Sequence, residues 1–221
     1  MPIKVVFCDI GNVLVRNSAS EIYQKYYDKY GISKETFGSV FDFIHTGQSS
    51  SDLNKFLKTK KLDPKIWEEF TNDFFSSENR NDSLYRLLEE AKANLGIKII
   101  YTTNNSVGLQ DILDKYSISD LPDLTLNSSL IGVIKPSMEY WAKAFDLSKS
   151  LIPGLVYDQV LVIDDSSTNI DSAKNFGFQV IHYQGNTSDQ LIKNTLYPIE
   201  VQAQNILLSD PSGIEKYINE L

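Results

Sequence analysis

The chain has 221 residues, of which 42% are hydrophobic and 23% are charged, a composition typical of a folded, water-soluble protein. This balance argues against extensive disorder and a collagen-like repeat, and no apolar run approaches the ~20 residues that a membrane-spanning helix needs. A net charge of -8 offers no general attraction to a phosphate backbone, so neither nucleic acid nor a membrane is an expected partner.

The cysteine content indicates the redox setting. Cys8 is the only cysteine, so the chain cannot form an intrachain disulfide. The residues before it do not resemble a secretory leader, in which a charged segment precedes an apolar one. We therefore expect a reducing, cytoplasmic setting. No pattern in the sequence indicates the oligomeric state.

The first predicted element is a strand over residues 4–8, a short β-branched and aromatic run that ends at Asp9 and Gly11. Continuous apolar runs of this length are typical of parallel strands that are buried on both faces. We therefore expect the chain to enter a sheet at once and to leave it through a sharp turn.

Residues 18–79 contain several helix signals and no convincing strand. The clearest signal is Asp63 followed by Pro64, a capping residue and then proline at the first helical position. Further candidate caps are Ser33 and Ser51. We expect a helical subdomain, inserted after the first strand, whose aromatic side chains mostly form its own core.

Strands and helices then alternate along the rest of the chain. Strand-like apolar runs occupy residues 97–101, 159–163 and 179–182, and helical periodicity covers residues 84–95 and 169–176. This alternation predicts right-handed crossovers and a parallel sheet with helices on both faces, that is, a Rossmann-like α/β fold. Ligand sites of such sheets lie at the carboxyl ends of the strands.

Two domains are therefore predicted. Residues 1–17 and 80–221 form the Rossmann-like core, and residues 18–79 form the helical insertion. The last predicted element is an amphipathic helix over residues 211–221, with its apolar side chains on one face.

Four polar groups follow the predicted strands: Asp9, Thr103 with Asn104, Lys135 with Pro136, and Asp164 with Asp165. Taken singly, each has an ordinary explanation as a turn former, a helix cap or a solvated surface residue. The adjacent pair of carboxylates is the most informative, because like charges repel and a bound cation is the usual reason to hold them at the end of a strand.

Taken together and in this order, these segments resemble the four motifs of the haloacid dehalogenase superfamily. The motif-like segments are residues 7–15 (FCDIGNVLV), 99–104 (IIYTTN), 132–136 (GVIKP) and 162–165 (VIDD) with Asn169, Ala173 and Gly177. The resemblance implies a Rossmann-like sheet with a helical cap inserted after the first motif. It also implies hydrolysis of small phosphate monoesters, in which Asp9 attacks phosphorus and becomes an aspartyl-phosphate.

The resemblance also implies a metal site. It assigns Mg²⁺ to Asp9, to the backbone carbonyl of Gly11 and to the pair Asp164 and Asp165. This assignment is chemically reasonable, because Mg²⁺ prefers carboxylate and carbonyl oxygens. A phosphate dianion repels a carboxylate nucleophile, and a divalent cation reduces that repulsion.

By the same resemblance, Lys135 contacts both Asp9 and the phosphate group. Thr103 donates its hydroxyl to the phosphate, and Asn104 and Gly11 belong to the same substrate pocket. The resemblance thus implies a site that draws one side chain or more from each of the four motifs.

The first motif departs from the usual phosphatase pattern. Most phosphatases of this superfamily carry a second aspartate two residues after the nucleophile, as general acid and base, and Gly11 stands at that position. Losing such a group typically costs 10²- to 10⁴-fold in rate when the leaving group is poor. The variant Asp-x-Gly-Asn-Val resembles sugar-phosphate phosphatases. We therefore expect substrates with activated leaving groups, such as anomeric sugar phosphates or acyl phosphates.

Three alternatives stay open from the sequence. A dehalogenase also uses an aspartate nucleophile but needs no metal, and the pair Asp164 and Asp165 argues against it. A degenerate, non-catalytic binding or regulatory protein is a second alternative, suggested by Gly11. The third is a phosphotransferase that passes the group from Asp9 to an acceptor other than water.

Three further residues that can carry chemistry have ordinary structural interpretations. Cys8 precedes Asp9 inside a predicted buried strand and is expected to act as a small core residue. His45 and His182, the only histidines, lie far apart in the sequence and do not suggest a ligand set. Both are expected to be structural.

Overall fold

The computed structural model describes residues 1–197. The predicted helix over residues 211–221, and the last part of the predicted core, lie outside the described residues. None of the helices within residues 1–197 is long and apolar enough to cross a membrane.

Strands and helices alternate along most of the chain, as predicted. A block of helices, also predicted, interrupts this alternation near the start. The strands within the described residues are β1 (Val5–Cys8), β2 (Val15–Arg16), β3 (Asn79–Arg80), β4 (Lys98–Thr103), β5 (Leu124–Asn127), β6 (Val160–Asp164) and β7 (Gln179–His182). The α-helices are α1 (Ala19–Tyr30), α2 (Lys34–His45), α3 (Ser50–Thr59), α4 (Pro64–Ser76), α5 (Asp82–Leu95), α6 (Leu109–Lys115), α7 (Ser128–Ile131), α8 (Met138–Leu151), α9 (Ser167–Phe176) and α10 (Asn186–Leu196).

One parallel sheet organises the core. Its strand order is β5-β4-β1-β6-β7, and each neighbouring pair is parallel. The predicted Rossmann-like α/β fold is therefore confirmed. Because β1 lies between β4 and β6, the chain crosses over in opposite directions from the centre of the sheet. The carboxyl ends of these three strands meet where such sheets bind ligands.

The sheet is buried on both faces because β1 alternates its apolar side chains between them. Val5 and Phe7 pack into a cluster with α8 and α9, whereas Val6 and Cys8 pack into a cluster with α5, α6 and α10. Cys8 is fully buried, and this burial raises the pKa of its thiol well above the usual value. It is a core residue, as predicted, and its thiol stays protonated.

Helices α1 to α4 enclose a hydrophobic cluster of their own. Phe37 and Phe70 stack there with ring centroids 3.9 Å apart, and Tyr26 packs edge-on against both rings. Trp67 is also buried in this cluster. Such aromatic packing gives the four helices an internal core that does not depend on the sheet.

Two of the predicted helix caps are confirmed and one is wrong. Asp63 caps α4 and Ser33 caps α2, each by accepting a hydrogen bond from a backbone N–H in the first turn. Helix α3 is capped by Ser49 and not by Ser51, because the Ser49 hydroxyl accepts from the backbone N–H of Asp52. Ser51 lies inside the helix, where its hydroxyl meets that of Ser49.

Two sets of contacts hold the helices over the carboxyl end of the sheet. Strands β2 and β3 pair antiparallel where the chain enters and leaves the helical block, with Arg16 opposite Asn79. At the end of α2, the His45 carbonyl accepts a hydrogen bond of 2.8 Å from the Ser128 hydroxyl. Gly47 has φ 81° and lies so close to Ser129 that a Cβ there would be 2.7 Å from its carbonyl oxygen. Only glycine fits this approach.

Strand β5 is the member of the sheet that the sequence pattern does not indicate. It is an edge strand of 4 residues, and its first half is partly exposed. It therefore lacks the continuous apolar run of an inner strand. Strands β2 and β3 have 2 residues each, too few to produce a periodic pattern.

Candidate active site

Asp9 follows β1 directly, at the carboxyl end of the central strand. Its carboxylate accepts a hydrogen bond of 2.8 Å at Oδ1 from the backbone N–H of Ile10, and the residue is only 9% exposed. Burial raises the pKa of Asp9 above its usual value, and the Lys135 ammonium opposes that shift. The site therefore contains a carboxylate that depends on nearby positive charge for its ionised form.

The Lys135 ammonium lies between two carboxylates. Its Nζ is 2.6 Å from Asp164 Oδ2 and 3.1 Å from Asp9 Oδ1, and it donates to the Thr102 carbonyl over 2.7 Å. Burial by itself lowers the pKa of Lys135, but Asp164 and Asp9 more than offset this effect and raise it above the usual value. Lys135 is therefore a fixed positive charge in the core of the site.

The prediction that Lys135 directly follows a strand is wrong. It lies in the connection between α7 and α8, after Gly132 has ended α7 in a left-handed conformation. Asn104 fixes the backbone of this connection. Its Oδ1 accepts from the Lys135 N–H over 2.9 Å, and its Nδ2 donates to the Lys135 carbonyl over 3.0 Å. These two hydrogen bonds place Lys135 close to the strand ends, although no strand directly precedes it.

Asp164 and Asp165 complete a group of three carboxylates. One ligand oxygen from each, together with one from Asp9, lies within 4.8 Å of the others. Asp164 is the last residue of β6, and Asn169 donates to both of its oxygens over 3.0 and 3.2 Å. Asn12 donates to Asp165 Oδ2 over 3.0 Å. Both carboxylates are thus held in place by amide groups.

The electrostatics of this group favour a bound cation. Asp9, Asp164 and Asp165 supply three carboxylates, and Lys135 is the ammonium among them. Burial raises the pKa of Asp165, because its charged form is poorly hydrated there. A cluster of carboxylate oxygens with excess negative charge fits a hard divalent cation.

A cavity of about 320 Å³ opens directly over Asp9. Gly11, Thr103, Asn104 and Lys135 line it on the side of the sheet, and side chains of the four-helix block line the opposite side. A Cβ at Gly11 would meet no atom within 4 Å. The predicted substrate-pocket residues therefore share one cavity with the predicted nucleophile.

Thr102 and Thr103 differ in their surroundings. Thr103 lines the cavity, whereas Thr102 is fully buried and contributes its carbonyl to Lys135. Within the described residues, the Thr102 hydroxyl has no hydrogen-bond partner. Of the two threonines, the one predicted from the sequence is therefore the one that lines the cavity.

Sequence reasoning missed the parts played by two asparagines. Asn12 and Asn169 belong to the motif-like segments, but only the structure shows that they hold Asp165 and Asp164. Asn12 has φ 55°, a left-handed conformation that asparagine tolerates well, and an asparagine next to glycine is a recognisable sign of such a turn.

The two histidines, both predicted to be structural, lie in different surroundings. His45 lines the cavity, and burial together with Lys135 lowers its pKa to about 4, so its ring is neutral at pH 7. No sequence signal places it there, because α2 reaches the cavity only through the packing of the helical block. His182 lies outside the cavity lining, and its Nε2 is 2.8 Å from the Asp165 carbonyl.

The comparisons with known proteins agree with this architecture. A family model described as haloacid dehalogenase-like hydrolase matches residues 3–177. The sequence matches no curated protein at a significant level.

Several solved structures share the fold. A predicted HAD-like family hydrolase from Porphyromonas gingivalis is 15% identical, with a TM-score of 0.71 over 89% of this chain and 98% of that chain. A HAD family enzyme from Bacteroides thetaiotaomicron, in complex with magnesium and inorganic phosphate, is 17% identical, with a TM-score of 0.62 over 83% and 96%. An L-2-haloacid dehalogenase from Xanthobacter autotrophicus with chloropropionic acid covalently bound is 17% identical, with a TM-score of 0.55 over 94% and 83%. The family model matches most of the chain, and three of the four motif-like segments lie at the ends of the adjacent strands β4, β1 and β6. The chain therefore belongs to the haloacid dehalogenase-like hydrolases.

Proposed function

We propose that this protein is a Mg²⁺-dependent phosphatase that hydrolyses small phosphate monoesters through an aspartyl-phosphate on Asp9. One observation carries the proposal: the carboxylates of Asp9, Asp164 and Asp165 converge within 4.8 Å of one another beside the cavity that Lys135 also lines. The magnesium and inorganic phosphate bound by the Bacteroides thetaiotaomicron enzyme support it.

Asp9, Asp164 and Asp165, with the Gly11 carbonyl, would hold the Mg²⁺. When bound, the ion offsets the negative charge of the phosphate and of the carboxylates around it. Asn12 and Asn169 keep the carboxylates oriented, since each donates an amide hydrogen bond to one of them. Such supporting hydrogen bonds commonly determine how well ligands hold a metal.

The two oxygens of Asp9 have different surroundings. Oδ1 accepts from the Ile10 N–H and faces the Lys135 ammonium. Within residues 1–197 no hydrogen bond to Oδ2 is present, so Oδ2 is free to attack phosphorus. A bond forms between Oδ2 and phosphorus while the ester P–O bond breaks, and the leaving oxygen takes up a proton from solvent water. Water then attacks phosphorus and gives up a proton to solvent while the Oδ2–P bond breaks, which releases phosphate and restores the Asp9 carboxylate.

Lys135 and Thr103 would bind the oxygens of the phosphate. The Lys135 ammonium keeps its place through Asp164 and the Thr102 carbonyl, so it need not reorganise during the reaction. Asn104 acts on the phosphate pocket through the Lys135 backbone that it fixes. Gly11 offers no carboxyl to protonate the leaving oxygen, which favours esters of acidic alcohols and acyl phosphates.

The domain organisation follows from this division of labour. We assign the chemistry to residues 1–17 and 80–221 and substrate selection to residues 18–79, which act as a cap. The cap helices supply cavity side chains on the side opposite the sheet, including Tyr23, Phe41 and His45.

The direct test is phosphate release from a panel of phosphorylated metabolites with Mg²⁺, with EDTA, and with the variant Asp9→Asn. We expect release with Mg²⁺ and its loss in both other conditions. Asp146→Asn is the matched control and should stay active, because Asp146 lies on α8 with a side chain that is 72% exposed. Activity that survives in Asp9→Asn or in EDTA contradicts the proposal.

Parallel assays with 2-haloacids, with added acceptor alcohols and with the same phosphorylated metabolites separate the three alternatives. Halide release that persists in EDTA identifies a dehalogenase. Transfer of the phosphoryl group to an added alcohol, in preference to water, identifies a phosphotransferase. A protein that binds phosphorylated metabolites but turns none over, at any Mg²⁺ concentration, is a non-catalytic scaffold.

A further inference from the structure

The helical block gives the cavity an aromatic wall. Tyr23, Phe41, Phe74 and Phe75 all line it. The ring centroids of Phe41 and Phe74 are 5.3 Å apart, those of Tyr23 and Phe74 are 6.2 Å apart, and those of Phe74 and Phe75 are 5.7 Å apart. These rings form a continuous apolar surface across from Asp9, in a cavity sized for a small molecule.

Two carboxylates accompany this wall. Asp42 and Glu78 line the same cavity. Asp42 is an exposed residue, and burial together with the negative charge of Asp42 raises the pKa of Tyr23 to about 12. Glu78 is half-buried and accepts a hydrogen bond of 2.9 Å from the Tyr116 hydroxyl. Because the two carboxylates come from α2 and from the segment before β3, they belong to separate parts of the wall.

No free cation balances these carboxylates inside the cavity. Among the described residues, Lys135 is the only lysine or arginine that lines it, and its ammonium is already paired with Asp9 and Asp164. His45 is neutral at pH 7 because its pKa is lowered to about 4. The cavity therefore contains two carboxylates, Asp42 and Glu78, in addition to its aromatic rings.

The nearest lysines face elsewhere. The Lys34 ammonium lies 5.6 Å from the centroid of the Tyr23 ring, and Lys34 lines a second cavity and not the one over Asp9. Lys115 donates to the Phe75 carbonyl over 3.0 Å and does not line the cavity over Asp9. The positive charge of Lys115 acts on Glu78 from outside the cavity and lowers the pKa of Glu78 against the larger, opposite effect of burial. Inside the cavity, an anionic group on the alcohol part of a substrate would meet Asp42 and Glu78 and no unpaired lysine or arginine of the described residues.

We infer that the natural substrate is a phosphate monoester whose alcohol part has an apolar face, carries a protonated amine and bears no second anionic group. The aromatic rings would contact the apolar face and the cation, since ammonium groups are attracted to aromatic faces. Asp42 and Glu78 would pair with the amine, and they would repel a carboxylate or a second phosphate. This inference rests on the phosphatase activity proposed above and specifies the substrate class of that site.

Three aryl phosphates of similar shape test whether the site prefers a positive, a neutral or a negative substituent on the alcohol part. They are the 4-(aminomethyl)phenyl, 4-(hydroxymethyl)phenyl and 4-(carboxymethyl)phenyl esters, in which a methylene group separates the charge from the ring, so the three phenols have similar acidity. We expect kcat/KM to fall in that order, with about a five- to fifty-fold difference between the ammonium and carboxylate esters. The difference should shrink as salt is added, because salt screens exposed charges.

Variants assign the preference to the two carboxylates. Asp42→Asn and Glu78→Gln should each reduce the difference in kcat/KM between the ammonium and carboxylate esters. Asp42→Lys should reverse that difference, so that the carboxylate ester has the higher kcat/KM. The hydroxymethyl ester reports whether each variant is still folded and active, because its substituent carries no charge for Asp42 or Glu78 to attract or repel. Glu68→Gln, on an exposed residue of α4, is the matched control and should behave as the natural protein does.

The outcomes distinguish the two levels of the proposal. If no ester releases phosphate above the level of Asp9→Asn, the phosphatase proposal itself fails. If all three esters are hydrolysed equally, or the carboxylate ester is preferred, the phosphatase proposal stands and the inferred substrate class is overturned. The inferred substrate class is also overturned if Asp42→Lys leaves the order of the esters unchanged while the hydroxymethyl ester is still hydrolysed.

Discussion

Asn12 and Asp165 are 153 positions apart in the chain, yet the Asn12 amide donates a hydrogen bond of 3.0 Å to the Asp165 carboxylate. The contact requires the left-handed backbone of Asn12, with φ 55°, in the turn after Asp9. It links the first motif-like segment to the fourth and fixes the orientation of one proposed metal ligand. The role of the asparagine in the Asp-x-Gly-Asn-Val pattern is therefore to orient the Asp165 carboxylate.

The first prediction concerns this hydrogen bond. Asn12→Gly keeps a backbone that adopts positive φ but removes the amide, so we expect half-maximal activity to need about 10- to 100-fold more Mg²⁺. Asn12→Ala should show the same loss and also unfold more easily, by about 1 kcal/mol, because alanine is strained at this φ. Magnesium titrations of phosphate release and urea unfolding measure the two effects. An unchanged Mg²⁺ requirement in both variants contradicts the role given to Asn12.

The second prediction concerns the missing acid. A side chain fits at Gly11, since its Cβ would meet nothing within 4 Å and its φ lies outside the left-handed region. Gly11→Asp supplies a carboxyl that can protonate a leaving oxygen, so we expect alkyl phosphates to be hydrolysed about 10- to 100-fold faster. Gly11→Asn has the same shape without the acidic proton and should bring no gain. Equal rates in the two variants would show that acid catalysis does not limit turnover of alkyl esters.

The third prediction concerns the buried ammonium. Lys135→Met leaves Asp9 and Asp164 without their shared cation, which should lower the free energy of unfolding by about 3 to 5 kcal/mol in EDTA. Mg²⁺ should restore part of this loss, because it neutralises the same carboxylates. Urea unfolding with EDTA and with Mg²⁺ measures both. Lys149→Met, which removes an exposed ion pair with Asp146, is the control and should cost less than about 1 kcal/mol. If Lys135→Met lowers the free energy of unfolding no more than Lys149→Met does, the carboxylates do not need this ammonium.

The fourth prediction separates two neighbouring hydroxyls. Thr103→Val removes the hydroxyl of the threonine that lines the cavity, so we expect kcat/KM to fall about 10- to 100-fold through the loss of a hydrogen bond to the charged phosphate. Thr102→Val removes a buried hydroxyl that has no partner in the described residues, so activity should persist and stability should not fall. Steady-state kinetics and thermal unfolding of both variants distinguish the two roles. Loss of activity in Thr102→Val alone would assign the phosphate contact to the other threonine.

The fifth prediction concerns the pH dependence of stability. The pKa of His45 is about 4 in the folded protein and ~6.5 when unfolded, so the unfolded chain binds a proton first as the pH falls. The stability that the neutral ring provides is complete above the unfolded pKa and is lost as the pH falls from about 7 toward 4. Between pH 7 and pH 5 we expect a loss of about 1 to 2 kcal/mol that His45→Gln does not show.

Urea unfolding of the natural protein and of His45→Gln at the two pH values measures this difference. The comparison cancels the titration of Asp9 and the other carboxylates, which both proteins share. Parallel pH profiles of the two proteins would mean that His45 is as accessible to protons in the folded state as in the unfolded chain.

The sequence by itself determined the strands β1, β4, β6 and β7 and the helices α4, α5 and α9, because each is marked by a local pattern of apolar residues and by terminal capping or glycine signals. It also determined which charges are available, since the motif-like segments contain Asp9, Lys135, Asp164 and Asp165. From the alternation of strands and helices it followed that the carboxyl ends of the strands share one edge.

Only the tertiary structure decided how these charges are arranged. Lys135 reaches the strand ends through Asn104 and a connection between helices, and Asn12 reaches Asp165 across the whole core. Edge strand β5 and the cavity residue His45 likewise depend on packing partners far away in the sequence. The physical reason is that hydrophobic periodicity records which face of a segment is buried, whereas contacts between distant side chains depend on how complete elements pack against one another.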